Sequence, residues 1–439
     1  MFRLFESPDR QMRRNAANWL EVADKVWNYR RDHLGAKEIA EFDARTGELR
    51  RLLAERADAA RLKQAIESLE GVLRRTGGGI YPKTSLVENV EFFLVAAIVI
   101  LGIRSYFVQP FKIPTNSMWP TYYGITAENF PPGAAAPNDL ERIGRFFAFG
   151  AQRRTAVAPR NGEVSVPLFT RGDKVSMAYT MKKGRTWLIF PARVKEYTFY
   201  VDGEAATVSV PEDFSDFDDI VFNTFFPDRS AFEAQRRSAA QAGQIEAIRV
   251  QADENQEDTY PADLVPLGKS VRAGDPIVRF DLMAGDQLFV DRVTYQFMRP
   301  KVGQGFVFRT DNIPDIARRF GAQYYVKRLI GRPGDQIEIK DPVIYRNGAP
   351  ITGSVAFDLN ARRVSPYQGY SNASRDDPQY TQLFEGETVT VPEHGYLAMG
   401  DNSHNSFDGR FWGFVPEKDV VGRPLFIYYP FTKRWGTAK

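Results

Sequence analysis

Phe107-Val-Gln-Pro-Phe-Lys-Ile-Pro-Thr-Asn-Ser-Met-Trp-Pro-Thr121 sets one serine, Ser117, among prolines directly after the most apolar run of the chain. Pro110, Pro114 and Pro120 forbid a helix and push the residues before them toward extended backbone, so Ser117 is predicted on a stiff extended segment or a tight turn. A hydroxyl held in that way can be aimed. A serine among prolines is by itself more often a plain turn, so the rest of the chain decides between structure and chemistry.

Working upstream, Phe92 to Ile103 is uninterrupted apolar sequence, resuming at Tyr106, Phe107 and Val108 after Arg104 and Ser105. Roughly 20 residues are needed to cross a bilayer as a helix, and shorter runs are often core helices. Arg104 can snorkel to the interface and Tyr106 suits the boundary, which favours a single span over 88–108. Arg74, Arg75 and Lys83 before the run, against Arg104 and Lys112 after it, place the N-terminus in the cytoplasm by the positive-inside rule. Residues 1–80 lack the apolar segment of a cleavable signal sequence. They carry apolar positions at helical spacing, Trp19, Val22, Val26 and Tyr29, then Leu62, Ile66, Leu69 and Leu73, predicting packed amphipathic helices broken near Gly35 and Gly47. Gly77-Gly78-Gly79 and Pro82 read as a linker.

Downstream, 123–280 opens as a loop, Phe130-Pro-Pro-Gly-Ala-Ala-Ala-Pro137. Strands are predicted at Trp187–Phe190 and Tyr197–Val201, with a turn at Asp202-Gly203 and a helix over Arg229–Ile248. Arg171-Gly172-Asp173 reads as an ordinary turn. From Gly285 to the end, β-rich runs alternate with turns: Leu288–Val290, Phe306–Phe308, Tyr324–Val326, Gln336–Ile339, Val343–Tyr345, Thr388–Val391, Tyr396–Met399 and Pro424–Tyr429. Arg346-Asn347-Gly348 carries a hairpin signal. This part is predicted to be an all-β body of curled antiparallel sheets.

Composition narrows the chemistry. The 439 residues imply two or three domains. The 58 basic and 55 acidic residues are interleaved, for a net charge of +3, which gives no reason to expect a nucleic-acid partner. There is no cysteine, which excludes disulfides, thiolate catalysis and Cys-based zinc sites. The three histidines, His33, His394 and His404, leave little material for a histidine triad or metal cage, so hydrolysis is expected to run without metal or cofactor.

A serine hydroxyl needs a neighbour to take its proton, and with histidine scarce, lysine is the candidate base. Free lysine has a pKa near 10.4 and must be desolvated to serve. Lys327 follows Tyr324-Tyr325-Val326, whose side chains can wall off water, and precedes Arg328-Leu-Ile-Gly331-Arg-Pro333-Gly334-Asp335. A third stretch is Gly400-Asp401-Asn402-Ser403-His404-Asn405-Ser406-Phe407-Asp408-Gly409-Arg410-Phe-Trp412-Gly413. There Ser406 can hydrogen-bond and direct an amine, while Asp408 and Arg410 can pair and brace the loop. A calcium-like oxygen cluster is the bland alternative, and Arg410 argues against it. His404 allows a Ser-His reading.

Three boxes carry a resemblance: Phe111-x-Ile113-Pro114-x-x-Ser117-Met118-x-Pro120-Thr121, the Lys327-Arg328 pair before Gly331-x-Pro333-Gly334-Asp335, and the Gly400–Gly413 stretch. Together they resemble the bacterial type I signal peptidases, membrane-anchored Ser-Lys endopeptidases. The resemblance covers roughly 90–122 and 283–430, and Gly285-Asp286 to Asp291-Arg292 looks like the structural box at which the pattern resumes. It implies a mainly β, signal-peptidase-like catalytic body (109–122 and 281–439) with an N-terminal helical region and one transmembrane helix. The stretch 123–280 would be an inserted, mostly β domain with a possible partner of its own.

For the site, the resemblance implies Ser117 as nucleophile, Lys327 as general base and Ser406 as its orienting partner, with Asp408 and Arg410 bracing. The Ser117 backbone N–H and the Thr115 hydroxyl would form the oxyanion hole. Ile113, Tyr122, Tyr325 and Val326 would line shallow pockets for small residues before the cut. Thr115 replaces a more usual serine and keeps the donor; Tyr122 is bulkier than a usual leucine; Ser403-His404 and Gly409 also depart from the pattern. The implied partners are preprotein signal peptides and the lipid bilayer, with the catalytic domain on the extracytoplasmic side of the inner (plasma) membrane. Two rivals stand beside this: a membrane-tethered scaffold with a relict site, and a self-cleaving Ser-Lys repressor, disfavoured by the anchor and by the lack of a basic DNA-binding helix pair.

Overall fold

The computed structural model describes residues 7–171, 174–186 and 190–438, and the chain divides into two compact units, Met1–Gly102 and Ile103–Lys439.

In the first unit, α1 (Pro8–Arg30), α2 (Ala36–Ala54) and α3 (Ala59–Thr76) pack on one another. Their shared core holds Val26, Phe42, Leu49, Leu62, Ile66, Leu69 and Leu73. Asp58 caps α3 by accepting the Arg61 N–H at 3.0 Å, and the Gly35 N–H donates to the Glu38 carboxylate at 2.8 Å. Two details differ from the sequence reading. Gly47 lies inside α2; its cost of about 1 kcal/mol is outweighed by burial of Phe42, Leu49 and Leu52 on the same helix. Tyr29, predicted in the α1 stripe, is 72% exposed at the last turn, where its hydroxyl stays in water.

The predicted apolar run belongs to α4 (Ser85–Tyr106), 22 residues long enough and apolar enough to cross a membrane, with none of its side chains buried in the protein. Its length is about 33 Å at the usual helical rise. It starts before the apolar run because Glu88 and Glu91 do not interrupt backbone hydrogen bonding.

The second unit contains an eight-stranded antiparallel sheet in the order Val108–Lys112, Gln287–Asp291, Val420–Tyr429, Gly305–Arg309, Tyr324–Gly331, Gly395–Met399 and Val415–Pro416, with Gly436–Thr437 alongside Val420–Tyr429. A four-stranded sheet adds Gln336–Lys340, Val343–Arg346, Ala349–Pro350 and Thr388–Thr390. The predicted strands of this part fall in these elements, except that Val391 lies one residue past the strand Thr388–Thr390, and Asn347 and Gly348 turn the predicted hairpin with φ of 52° and 78°. The body is not all β: short helices at Pro314–Phe320 and Val355–Ala361 have too few turns to show a periodicity in sequence.

Residues 123–280 form a seven-stranded sheet and most of a three-stranded one, with α5 (Asp139–Phe149), α6 (Phe217–Phe225) and α7 (Arg229–Gln241). The central strand of the smaller sheet, Pro276–Met283, runs across the predicted boundary at 280. The helix predicted over Arg229–Ile248 stops at Gln241, Gly243 turns the chain with φ 68°, and Glu246–Gln251 is a strand in which Ile248 and Val250 suit β backbone. Asp202 and Gly203, with φ of 44° and 83°, turn between two paired strands as predicted. Trp187, Leu188 and Ile189, and Gly172 and Asp173 of the Arg-Gly-Asp tripeptide, lie outside the described residues.

Candidate active site

The strand Val108–Lys112 carries the chain into the site. It pairs with Gln287–Asp291, and the ladder runs one step further, the Ile113 N–H donating to the Asp286 carbonyl at 2.8 Å. The Asp286 N–H then donates to the Tyr123 carbonyl at 2.8 Å, and its carboxylate accepts the Tyr123 N–H at 2.9 Å. Asp286 is fully buried and held by Arg434 at 2.9 Å. Gly285 is where the backbones approach most closely: a Cβ there would stand 2.0 Å from the Ile113 carbonyl oxygen. The box at 285–292, legible in sequence only as structural, therefore clamps both ends of the loop that carries Ser117.

Inside that loop Asn116–Met118 makes one short 3-10 turn. Ser117 is half-buried and Thr115 exposed. The buried Asn116 side chain accepts the Gly124 N–H through Oδ1 at 2.9 Å and donates through Nδ2 to Asp216 Oδ2 at 3.0 Å. From the other side, the Asn402 N–H donates to the Ser117 carbonyl at 3.1 Å and the Asn402 side chain to the Asn116 carbonyl at 3.1 Å. Gly400 is the second contact: a Cβ there would meet Ser406 Oγ at 2.2 Å and the Ser117 carbonyl oxygen at 2.3 Å. Ser117, Gly400 and Ser406 are thus immediate neighbours.

Lys327 lies on the strand Tyr324–Gly331, which packs against the Ser117 turn. Lys327 is 3% exposed, and its Nζ donates to Ser406 Oγ at 3.2 Å. Burial pushes its pKa down to about 8, against the pull of the Asp408 and Asp401 carboxylates and with help from Arg410. Among the described residues no carboxylate forms an ion pair with Lys327, and no hydrogen bond joins its Nζ to Ser117 Oγ.

Asp408 and Arg410 do not reach Lys327 directly. They pair with each other at 2.9 Å, both essentially unexposed, and tie down the loop. Asp408 accepts the Gly400 N–H at 3.2 Å, while Arg410 donates to the carbonyls of Ser403 at 2.5 Å and Ser371 at 2.9 Å. This orders the polypeptide on both sides of Ser406. His404 is exposed on the same loop.

The four residues expected to line pockets divide. Ile113, Tyr122 and Val326 meet in one apolar cluster with Met118, Leu288 and Val307, whereas Tyr325 joins Phe308 and Trp412. Ile113 and Tyr122 are 5% and 1% exposed; Tyr325 and Val326 are half-buried.

Several residues at this site had no role in the sequence reading. Arg328 is as buried as Lys327 but sits in a nest of acceptors: Asp401 at 2.5 Å, with the Gly303 carbonyl at 2.6 Å. Its pKa is raised, the Asp401 pairing outweighing burial. Asp401 also accepts from Thr121 at 2.5 Å and Tyr370 at 3.3 Å. Asn116, Gly400, Asp401 and Asn402 stand within the quoted boxes, so box membership was their signal. Asp216 had none.

Comparison with known proteins yields a match of residues 278–429 to the family model described as "Signal peptidase, peptidase S26". This stretch includes Lys327, Ser406, Asp408 and Arg410; Ser117 precedes it. A protein named probable signal peptidase I-1 from Synechocystis is 31% identical over 155 residues, 35% of this chain and 67% of the relative. A second Synechocystis protein, probable signal peptidase I-2, is 30% identical over 34% of this chain and 57% of its own length. Signal peptidase I of Aquifex aeolicus is 29% identical over 34% of this chain and 70% of the relative. A crystal structure of a signal peptidase I from Enterococcus faecalis is 30% identical, with 29% of this chain and 97% of that chain covered and a TM-score of 0.20.

Proposed function

Because the chain belongs to the signal peptidase family, peptidase S26, we propose that it is a membrane-bound endopeptidase that removes signal peptides from exported preproteins, with Ser117 as nucleophile and Lys327 as general base. The observation that carries the assignment of roles is the Lys327 amine: dry, in no ion pair with a carboxylate among the described residues, directed by Ser406 and housed on the strand that packs against the Ser117 turn. With a pKa of about 8 the amine has a sizeable neutral fraction near physiological pH, which is what a base needs.

In this reading Ser117 Oγ attacks the scissile carbonyl carbon while its proton passes to Lys327 Nζ. The Ser117 N–H and the Thr115 hydroxyl stabilise the oxyanion, each such donor supplying roughly 2.7 to 4 kcal/mol in the transition state. Collapse breaks the C–N bond, and the Lys327 ammonium returns the proton to the departing amine. Water, deprotonated by Lys327, then attacks the acyl carbon; the C–Oγ bond breaks, the peptide leaves as its carboxylic acid, and the Lys327 ammonium returns the proton to Ser117 Oγ. The missing Ser117–Lys327 hydrogen bond is compatible with this chemistry, since such contacts are often long until substrate is bound.

Ile113, Tyr122, Tyr325 and Val326 bound the floor on which small side chains before the cut are accepted, with Tyr122 keeping that floor shallow. The helix α4, the one helix among the described residues long and apolar enough to cross a membrane, is the anchor, and the body acts on the extracytoplasmic side of the plasma membrane. The test is cleavage of a preprotein in detergent by the wild-type chain and by Ser117→Ala and Lys327→Met. Both variants are expected to be inactive with unchanged melting cooperativity; normal cleavage by either overturns the role of that residue.

A further inference from the structure

Asp216, deep in the inserted segment, hydrogen-bonds to the Ser117 turn through its side chain. Asp216 precedes α6 at its N-cap, a place where an aspartate normally accepts the unpaired N–H groups of its own helix. It does not cap: its side chain makes no hydrogen bond to α6. One carboxylate oxygen takes the Asn116 amide at 3.0 Å and the other the Ser215 hydroxyl at 2.5 Å. A residue that forgoes the local interaction open to it in favour of one 100 positions away marks a place where something other than helix stability sets the geometry. The position is rigid as well. Phe214 and Phe217, on either side, are completely buried in the core of the insertion, and the Phe217 ring stacks on Tyr197 with centroids 3.9 Å apart.

At the other end of the bond, Asn116 directly precedes Ser117. Its side chain has two polar ends, one fixed by the Gly124 N–H and the other by Asp216, while its carbonyl is held by Asn402. Without Asp216 the amide Nδ2 of a buried residue would lose its acceptor, and the peptide unit between Asn116 and Ser117, which carries the Ser117 N–H, would lose one of its restraints.

We propose that Asp216 is a positioning residue: the insertion, through the Asp216–Asn116 hydrogen bond, holds the Ser117 turn in its reactive conformation and is thereby a working part of the site. This rests on Ser117 being the nucleophile.

The experiment compares four forms of the full-length chain in detergent with one preprotein: wild type, Ser117→Ala, Asp216→Ala and Asp216→Asn. A misplacement of about 1 Å at a reacting group can cost roughly 100-fold in rate. Asp216→Ala is expected to lower kcat roughly 10- to 100-fold with KM little changed, whereas Asp216→Asn, whose side-chain oxygen still accepts from Asn116, stays within a few-fold of wild type. A reciprocal pair guards against a folding defect in Asp216→Ala. Asn116→Asp, which sets carboxylate against carboxylate, is expected to lower kcat, and Asn116→Asp with Asp216→Asn restores the bond with its polarity reversed and most of the rate. Wild-type kcat in Asp216→Ala, or an Asn116→Asp loss that the reciprocal variant fails to recover at equal melting temperature, overturns the proposal. If Ser117→Ala still cleaves, the nucleophile assignment itself is wrong and the positioning role falls with it.

Discussion

Lys327 and Arg328 are consecutive on one strand, point to opposite sides of the sheet, and are equally buried, yet the protein treats their charges in opposite ways. Arg328 meets the Asp401 carboxylate, a backbone carbonyl and the Thr121 hydroxyl, and its pKa is raised. Lys327 meets the neutral Ser406 hydroxyl and lies over the Tyr325 ring, with no carboxylate ion pair among the described residues, and its pKa is pushed down to about 8. Burial is common to both, so the difference comes from acceptors: a buried cation given a bidentate carboxylate is locked in its charged state, and one denied it is poised to lose its proton. The two side chains also differ in kind, because a guanidinium cannot be deprotonated in a protein and an ammonium can. The strand therefore separates a cation locked in its charged state from one poised to lose its proton by a single residue.

The largest effect that breaks this comparison comes from making the reactive position resemble its neighbour. Lys327→Arg keeps charge, stem and donors but removes the ability to accept a proton. Preprotein cleavage should fall as far as in Lys327→Met, by roughly 10⁴-fold or more, the scale on which removal of a nucleophile or its base is felt in serine hydrolases. Substantial residual cleavage by Lys327→Arg would mean that charge, rather than basicity, is what the position supplies.

The converse change concerns stability. Arg328→Met leaves the fully buried Asp401 carboxylate without its counter-charge and should destabilise the catalytic unit by roughly 3 to 5 kcal/mol in denaturant melts. Adding Asp401→Leu removes the orphaned charge and should recover most of that loss. Arg328→Met melting like the wild type would show that the pair is not a net structural brace.

How much of this was visible in the sequence depends on distance along the chain. Ser117, Lys327 and Ser406 were singled out in the sequence because each sits in one of the three boxes that together resemble a known family; taken alone, Ser117 reads as a turn and Lys327 as a surface lysine. The opposed fates of Lys327 and Arg328 were not legible, since strand alternation says only that neighbours face opposite ways and Asp401 is supplied by another strand's end. Asp216 was invisible: its role needs the insertion's core to seat Phe214 and Phe217, a tertiary outcome with no local pattern. Gly285 reads from sequence as part of a box, but its need to be glycine follows only from the 2.0 Å approach of the Ile113 carbonyl. Gly47 misled because glycine weakens a helix without ending it when both flanks are anchored in a core.

A smaller effect follows from the cost of keeping Lys327 dry. Its folded pKa of about 8 lies below the ordinary value of 10.5, so between these values the unfolded chain binds the proton that the folded chain has released. Stability therefore rises with pH across that window, and the penalty is full below about pH 8. Lys327→Met replaces the amine by an apolar group of similar reach. It should be more stable than the wild type at pH 7, by up to about 3 kcal/mol, with the advantage fading toward pH 10.5. A gain independent of pH would point to packing instead.

The finest test concerns Asp408, whose carboxylate favours the Lys327 ammonium while its pairing with Arg410 shapes the loop around Ser406. These two contributions separate in a pH profile. If Lys327 is the base, cleavage needs its neutral amine, and kcat/KM of the wild type should fall as pH drops through about 8. Asp408→Asn removes the attraction that holds the proton on and leaves the positive Arg410 nearby. Both changes lower the amine's pKa, so the acidic limb should move to lower pH, by up to about one unit, even as the maximal rate drops because the loop is less well braced. Were Asp408 only a brace, the profile would lose height and keep its midpoint. A limb that moves to higher pH instead would show that loosening the loop admits water to Lys327, making the dryness of that amine a property of Asp408 and Arg410 rather than of the strand on which Lys327 sits.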